Sequence, residues 1–263
     1  MSRSMWIAAT GMMAQQMNID VISNNLANVN TVGFKKSRAD FEDLMYQKIN
    51  TSQMGAEGKE AESIPLQIGL GVRSVGVPKI YTEGALNQTN RDLDIAIEGD
   101  GFFQVQMPDG DMGYTRAGNF KKDSDGYLVT PDGFVLSPAI QIPDDVQSVF
   151  ISAEGRVTAS KVGETVSIEI GQIQLVAFPN PTGLENVGRN IVKQTGASGE
   201  PMIDNPGVAG IGTVSQGYLE NSNVDIAEEM IKMIIAQRAY EINSKAIQSS
   251  DEMMSLANNL KRG

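Results

Sequence analysis

The sequence predicts an α+β fold: long N- and C-terminal helices that pair as a coiled coil, an irregular connecting domain and a central all-β domain. Three observations predict it. Apolar residues near both ends recur with heptad spacing. All ten prolines lie between Pro65 and Pro206, well away from the ends. The middle alternates short apolar runs with Gly- and Pro-containing turns. The expected boundaries are 1–33 and 222–263 for the helical domain, 34–85 and 193–221 for the connecting domain, and 86–192 for the β domain.

The C-terminal helix is the clearest element. From Asn223 to Arg262 there is neither Pro nor Gly. Asp225 with Glu228 fits a capping box, and Ser222 or Asn223 is an alternative N-cap. Acidic residues sit near the positive end of the dipole, and Lys261 and Arg262 near the negative end. Glu228 with Lys232 and Glu241 with Lys245 are i,i+4 pairs in the favourable order. At 1.5 Å per residue the helix would be about 55 Å long. Ile235, Ala239, Ile242, Ala246, Ser249, Met253, Leu256 and Leu260 follow a 4,3 spacing, the a/d pattern of a coiled-coil seam. Met233, Tyr240, Ile247 and Met254 form a second row, more than 90° around the helix at about 100° per residue. Two seams call for more partners than one chain supplies, so further copies of the chain are the expected source.

At the other end, Met5, Ala9, Met12, Ile19 and Leu26 fall on one heptad series, with Gln16 and Ser23 in its gaps. This row is the expected partner of the C-terminal seam. Asn24, Asn25, Asn28, Asn30 and then Gly33 provide a helix exit, because Asn and Gly tolerate the left-handed turn. The opening MSRSMWIAATGMMA has the single Arg and short apolar run of a secretory leader, but Thr10 and Gly11 interrupt the run and no clear A-x-A site follows. No apolar stretch approaches the 18 or so residues of a membrane span.

Composition excludes several function classes. With 32 acidic and 21 basic residues the net charge is −11, which argues against nucleic acid and against anionic membrane surfaces. The chain has no Cys and no His. Disulfides, Cys-based metal sites and imidazole acid–base chemistry are therefore excluded. Many of the 14 methionines fall in the terminal helices, where adaptable thioether side chains suit irregular interfaces.

Between about Leu86 and Val192 the pattern is that of strands and turns. Asp92–Glu98 alternates polar and apolar residues, and Phe102–Met107 is a strand candidate closed by Pro108-Asp-Gly. Asp125-Gly126 and Pro131-Asp-Gly133 are further turns, with Gly supplying positive φ and Pro presetting the first turn position. Later candidates are 149–151, 156–159, 166–170 and 173–178. The flanking stretches are Gly-rich and less regular, with short strands around 66–77. The polar segment 47–63 reads as an exposed or partner-contacting loop.

Motifs that could carry chemistry are weak. Asp123-Ser-Asp-Gly126 lacks the later ligands of a calcium loop. Gly69-Leu-Gly71 lacks the rest of a nucleotide-binding loop. Asp92/Asp94 and Asp144/Asp145 are paired acids in strands and turns. No catalytic residue, cofactor-binding residue or metal ligand is expected.

Specific likeness appears in three segments. Ser23-Asn-Asn-Leu-Ala-Asn-Val-Asn-Thr-Val-Gly-Phe-Lys35 resembles the N-terminal signature of bacterial flagellar rod and hook proteins. Gly99-Asp-Gly-Phe-Phe-Gln-Val105, Tyr114-Thr-Arg-Ala-Gly-Asn-Phe120 and Gly126–Thr130 resemble the core signature of their β domain. Gly217–Asp225 and Gln237–Lys245 resemble their C-terminal signature. Phe41–Gln47, Leu66–Arg73 and the length are most similar to the distal-rod branch; the polar segment after Tyr46 and Gln47, through Gly55, falls where that branch carries an insertion absent from the bent hook.

The resemblance implies a structural subunit rather than an enzyme, with no cofactor and no small-molecule substrate. It implies a rigid helical tube, with terminal helices lining the inside and the β domain outward, that transmits torque from motor to hook. Implied partners are further copies of the chain, proximal-rod proteins, the hook protein, the rod cap and the surrounding bushing rings. The implied place is the basal body, where the rod crosses the periplasm after type III export without a cleaved signal. A proximal-rod or hook subunit is the alternative. The terminal helices are expected to order fully only on assembly, since an unpartnered seam does not offset the ordering entropy of a long helix.

Overall fold

A computed structural model describes residues 3–49, 66–161 and 167–260. The chain divides into two compact units. One comprises Met1–Asn24, Ser37–Pro78 and Ile226–Gly263, and the other Asn25–Lys36 and Lys79–Asp225.

The first unit contains the C-terminal helix and the N-terminal helix as far as Asn24. Helix α1 spans Arg3–Ala27 and helix α2 spans Ile226–Leu260. Of the acids expected near the positive end of the dipole, Glu228 and Glu229 lie in the first turn of α2. Lys232 joins Glu228 at 2.8 Å and Glu229 at 3.0 Å. Glu241, expected to pair with Lys245, takes Arg238 instead, at 2.8 Å; i,i+3 neighbours on a helix are as close as i,i+4 ones. Two antiparallel ribbons complete the unit. Asp40–Asp43 pairs with Val72–Gly76, and Gln47–Ile49 with Leu66–Ile68.

The second unit is β-rich. Its largest sheet runs, in order, through Glu185–Gly188, Ile191–Lys193, Met112–Thr115, Phe102–Gln106, Val135–Ser137, Leu128–Val129 and Lys121–Lys122, with Leu175–Ala177 bridging Phe102–Gln106 and Met202–Asp204. Phe102 to Val105 are buried without a break, because this central strand is covered on both faces. Phe103 faces one cluster, meeting Phe120 edge-on at 5.1 Å together with Ile95, Leu136 and Leu175. Phe102 faces the other, where Tyr81, Phe178 and Tyr114 continue a chain of edge-to-face rings 4.8–5.9 Å apart. Such pairs contribute about 0.5–1.5 kcal/mol each beyond area burial.

The expected turns form. The Gly126 amide donates to the Asp123 carbonyl at 3.0 Å, and the Gly133 amide to that of Thr130 at 2.9 Å. The 193–221 stretch departs from its expected irregularity. It supplies the strands Met202–Asp204, Thr213–Gln216 and Tyr218–Glu220, paired with Leu175–Ala177, Ile95–Glu98 and Leu86–Gln88. These partners are distant in sequence, so local pattern does not announce them.

Burial pushes the Tyr81 phenol up to about 12 from 10.0. The folded state therefore holds this proton more tightly than the unfolded chain, and stability is lost as pH rises from 10 towards 12. Tyr81→Phe should leave the denaturation midpoint below pH 10 nearly unchanged and flatten this alkaline fall, measured by denaturant titration across that pH window.

Candidate assembly surfaces

Two contacts fix the register of α1 against α2. The Ser4 and Ser250 hydroxyls share a hydrogen bond at 3.1 Å. A Cβ on Gly11 would lie 3.0 Å from the Asn243 side-chain nitrogen, so Gly here allows close approach. Seven residues forward on α1 correspond to seven back on α2, and the helices are antiparallel. The covered side of α2 includes Glu229, Ala236 and Ser250, buried, and Met233, Asn243 and Ile247, half-buried. On α1, Ala8 and Ile22 are buried and Gly11, Gln15 and Asn18 half-buried. Both sides keep heptad spacing, but their residues are mostly small or polar.

The row expected to face α1 lies one position away. Ile235 and Ile242 are 62% and 66% exposed, Leu260 is 84% exposed, and Met253, Leu256 and Ala246 are also exposed; of this row only Ala239 is half-buried. The second row, Met233, Tyr240, Ile247 and Met254, lies nearer the covered side: Met233 and Ile247 are half-buried, and Tyr240 and Met254 are about one-third exposed. On α1, Met5, Ala9, Met12, Ile19 and Leu26 are all half-buried. Hydrophobicity ranks the rows one way and helix separation the other, since interaxial distance depends on side-chain size at the contact. α1 also faces the ribbon: Thr10, Met13, Ala14 and Met17 line a groove with Val72 and Ser74, and Thr10 Oγ1 accepts from the Val72 amide at 3.4 Å.

The polar segment begins inside regular structure. Gln47 opens a strand whose register is Gln47↔Ile68, Lys48↔Gln67 and Ile49↔Leu66. Tyr46 and Gln47 are exposed, as is Met45. Gly55 and the rest of the segment to residue 63 lie outside the described residues.

In the β-rich unit, sequence reasoning did not foresee a buried charge cluster. Lys35, Glu220 and Arg116 are 2%, 0% and 4% exposed. Lys35 Nζ donates to Glu220 Oε1 at 2.5 Å and to the Thr82 carbonyl at 2.6 Å. The Gly84 amide donates to the same carboxylate oxygen at 2.9 Å, and Arg116 Nη1 to Oε2 at 3.3 Å. Arg116 Nη2 donates to the Gly99 carbonyl at 2.8 Å. Burial pushes the Lys35 ammonium below its usual pKa, against the opposing charge and hydrogen bond of Glu220. Gly33 is indispensable beside the cluster. Its φ is +68° and a Cβ would lie 2.6 Å from the Arg116 carbonyl carbon, while its amide donates to the Glu220 carbonyl at 2.7 Å.

The paired acids do not assemble into dyads. Asp92 is exposed whereas Asp94 is buried, and Asp144 takes Lys122 at 2.6 Å. Among the described residues no group of three or more acidic side chains is placed to hold a metal ion.

Three family models match in chain order: a flagella basal body rod protein model over residues 5–35, a flagellar hook protein FlgE/F/G D1 domain model over 96–159, and a flagellar basal body rod FlgEFG C-terminal model over 215–260. The chain is similar to the flagellar basal-body rod protein FlgG of Buchnera aphidicola subsp. Schizaphis graminum, 50% identical over 95% of this chain and 96% of the relative. It is 49% identical to FlgG of Borreliella burgdorferi and 44% identical to FlgG of Bacillus subtilis, each over 100% of both chains.

Each matched region contributes one member of the charge cluster: Lys35, Arg116 and Glu220. Removing the carboxylate charge leaves two buried cations uncompensated, which typically costs about 3–5 kcal/mol. Glu220→Gln should lower the urea midpoint accordingly, read on the near-ultraviolet signal of the β-rich unit.

Proposed function

The chain belongs to the flagellar basal-body rod protein family, and we propose that its terminal helices build the inner wall of a straight, rigid distal-rod tube. The family is one of structural proteins, not enzymes, and its place is the basal-body rod. The observation that carries the proposal is the arrangement on α2, where Asn243 and Ser250 meet α1 while the row through Ile235, Ile242, Met253 and Leu256 faces outward.

Ile231, Ile234, Ile235, Ile242, Met253 and Leu256 are each more than half exposed. Their remaining exposure forgoes more than half of the about 1.5–3 kcal/mol that full burial of each would contribute. Neighbouring copies cover these rows in the tube, in coiled-coil fashion, and Trp6 and Met13 of α1 offer further apolar surface. The thin internal seam buries little apolar area, so the long helices reach full order only in the polymer. Torque then passes through many modest interfaces repeated around and along the tube. Proximal-rod proteins, the hook protein, the cap and the rings are the neighbours at its ends and sides, and the rod crosses the periplasm after export without a cleaved signal.

Segment 47–63 is the straightening element. It contacts adjacent copies and resists the compression that a bending hook requires. Exposed Tyr46 and Gln47 at the base of the Gln47–Ile49 ribbon support this reading.

Two experiments test the proposal. The purified chain should form straight tubes under electron microscopy; Ile235→Glu with Ile242→Glu should abolish them, with the denaturation midpoint of the β-rich unit within about 0.5 kcal/mol of the parent, as for surface changes. Polymerisation of the variant at the parent's concentration would refute the helical interface. Replacing residues 50–65 by a two-residue Asn-Gly turn, which keeps the flanking ribbon, should leave tubes that are curved; a shortened-loop tube as straight as the parent's would refute the straightening role.

A further inference from the structure

The β-rich unit holds a polar cleft of about 610 Å3 that the tube geometry above does not use. Lys79 and Arg189 line it, with amide side chains from Asn28, Asn119 and Asn186 and one carboxylate, Asp132. Among the described residues neither cation has a carboxylate within ion-pair distance. Other cations of the same unit do have one: Lys122 with Asp144, Lys193 with Asp111, and Arg156 with Glu154.

Both cations are held in place. Lys79 is half-buried, with Nζ 5.7 Å from the centre of the Phe34 ring. Burial lowers its pKa and no acid opposes the shift. Arg189 and Asn190 have φ of +53° and +59°, the double left-handed pattern of a tight turn between the paired strands Glu185–Gly188 and Ile191–Lys193. An arginine in that conformation is strained, and surrounding contacts must hold it there. The Asn190 amide donates to the Val32 carbonyl at 2.8 Å, and the Arg189 guanidinium lies 5.8 Å from the Phe134 ring centre.

We propose that this cleft receives a carboxylate side chain from a neighbouring copy of the chain. The proposal rests on the tube reading, which supplies the neighbour. The ligand class follows from the lining. Two cations against one acid leave a positive excess, and a guanidinium fork with side-chain amides presents the donors a carboxylate accepts. The source follows from charge. Each copy carries −11, so copies repel unless acids on one meet cations on the next. A half-buried ammonium without a counter-ion gains most from such a meeting, because its desolvation is already in place.

Zero-length carbodiimide coupling of the assembled tube, followed by peptide mapping, tests this. Lys79 should form an isopeptide bond with an acidic residue of another copy. Lys79→Gln with Arg189→Gln should leave the monomer's denaturation midpoint unchanged, raise the critical concentration for polymerisation about ten-fold, a change of roughly 1.4 kcal/mol, and flatten its salt dependence. Lys79→Arg should retain assembly. Coupling of Lys79 only to its own chain, Asp132 included, or a critical concentration within about two-fold of the parent, would overturn the proposal while leaving the tube intact. Failure of the parent chain to polymerise would overturn the tube reading, and this inference with it.

Discussion

Glu220 is the constraint on which the β-rich unit depends. Its single carboxylate is reached by a lysine, an arginine and a backbone amide from three segments far apart in sequence. A buried ion pair is weak evidence for net stability, since desolvation consumes most of the Coulomb gain. Its stronger effect here is selective. Any packing that misplaces one of the three segments strands a charge in a dry interior. Lys35 follows the end of α1 by eight residues and Glu220 precedes the start of α2 by six. The chain's entry to the β-rich unit and its exit are therefore fixed at the same point.

The helical unit obeys the opposite logic. Its internal seam is built from Ser4, Gly11, Ala236, Asn243 and Ser250, residues that permit close approach and bury little. Ile231, Ile234, Ile235 and Ile242 remain outside. A chain folding alone would be expected to place its isoleucines against its own second helix. Placing them outward sacrifices stability of the single chain and, in the proposed tube, presents a surface for neighbouring copies to cover.

Much of this was legible in the sequence. The extent of α2 followed from the absence of Pro and Gly, and the hairpin turns at Gly126 and Gly133 from their residue types. The row through Ile235 and Ile242 was expected to face α1 and is largely exposed instead: both residues outrank Ala236 and Asn243 on any hydrophobicity scale, and only interhelical distance reverses the order. Strands such as Thr213–Gln216 were hidden because their partner, Ile95–Glu98, lies more than a hundred residues away. The charge cluster was invisible for the same reason. Lys35, Arg116 and Glu220 are ordinary surface residues by type, and their burial is a property of where three segments converge.

The ribbon between Gln47–Ile49 and Leu66–Ile68 has an evolutionary consequence. Its three paired positions hold the ends of the intervening sixteen residues in fixed register, so changes between those ends need not propagate into α1 or the neighbouring strands. Loop-closure entropy grows slowly, by about 0.6 kcal/mol for each doubling of length. The segment is thus a cassette. It can lengthen, shorten or change composition at little thermodynamic penalty, and under the proposed straightening role such changes would retune the tube without redesigning the core.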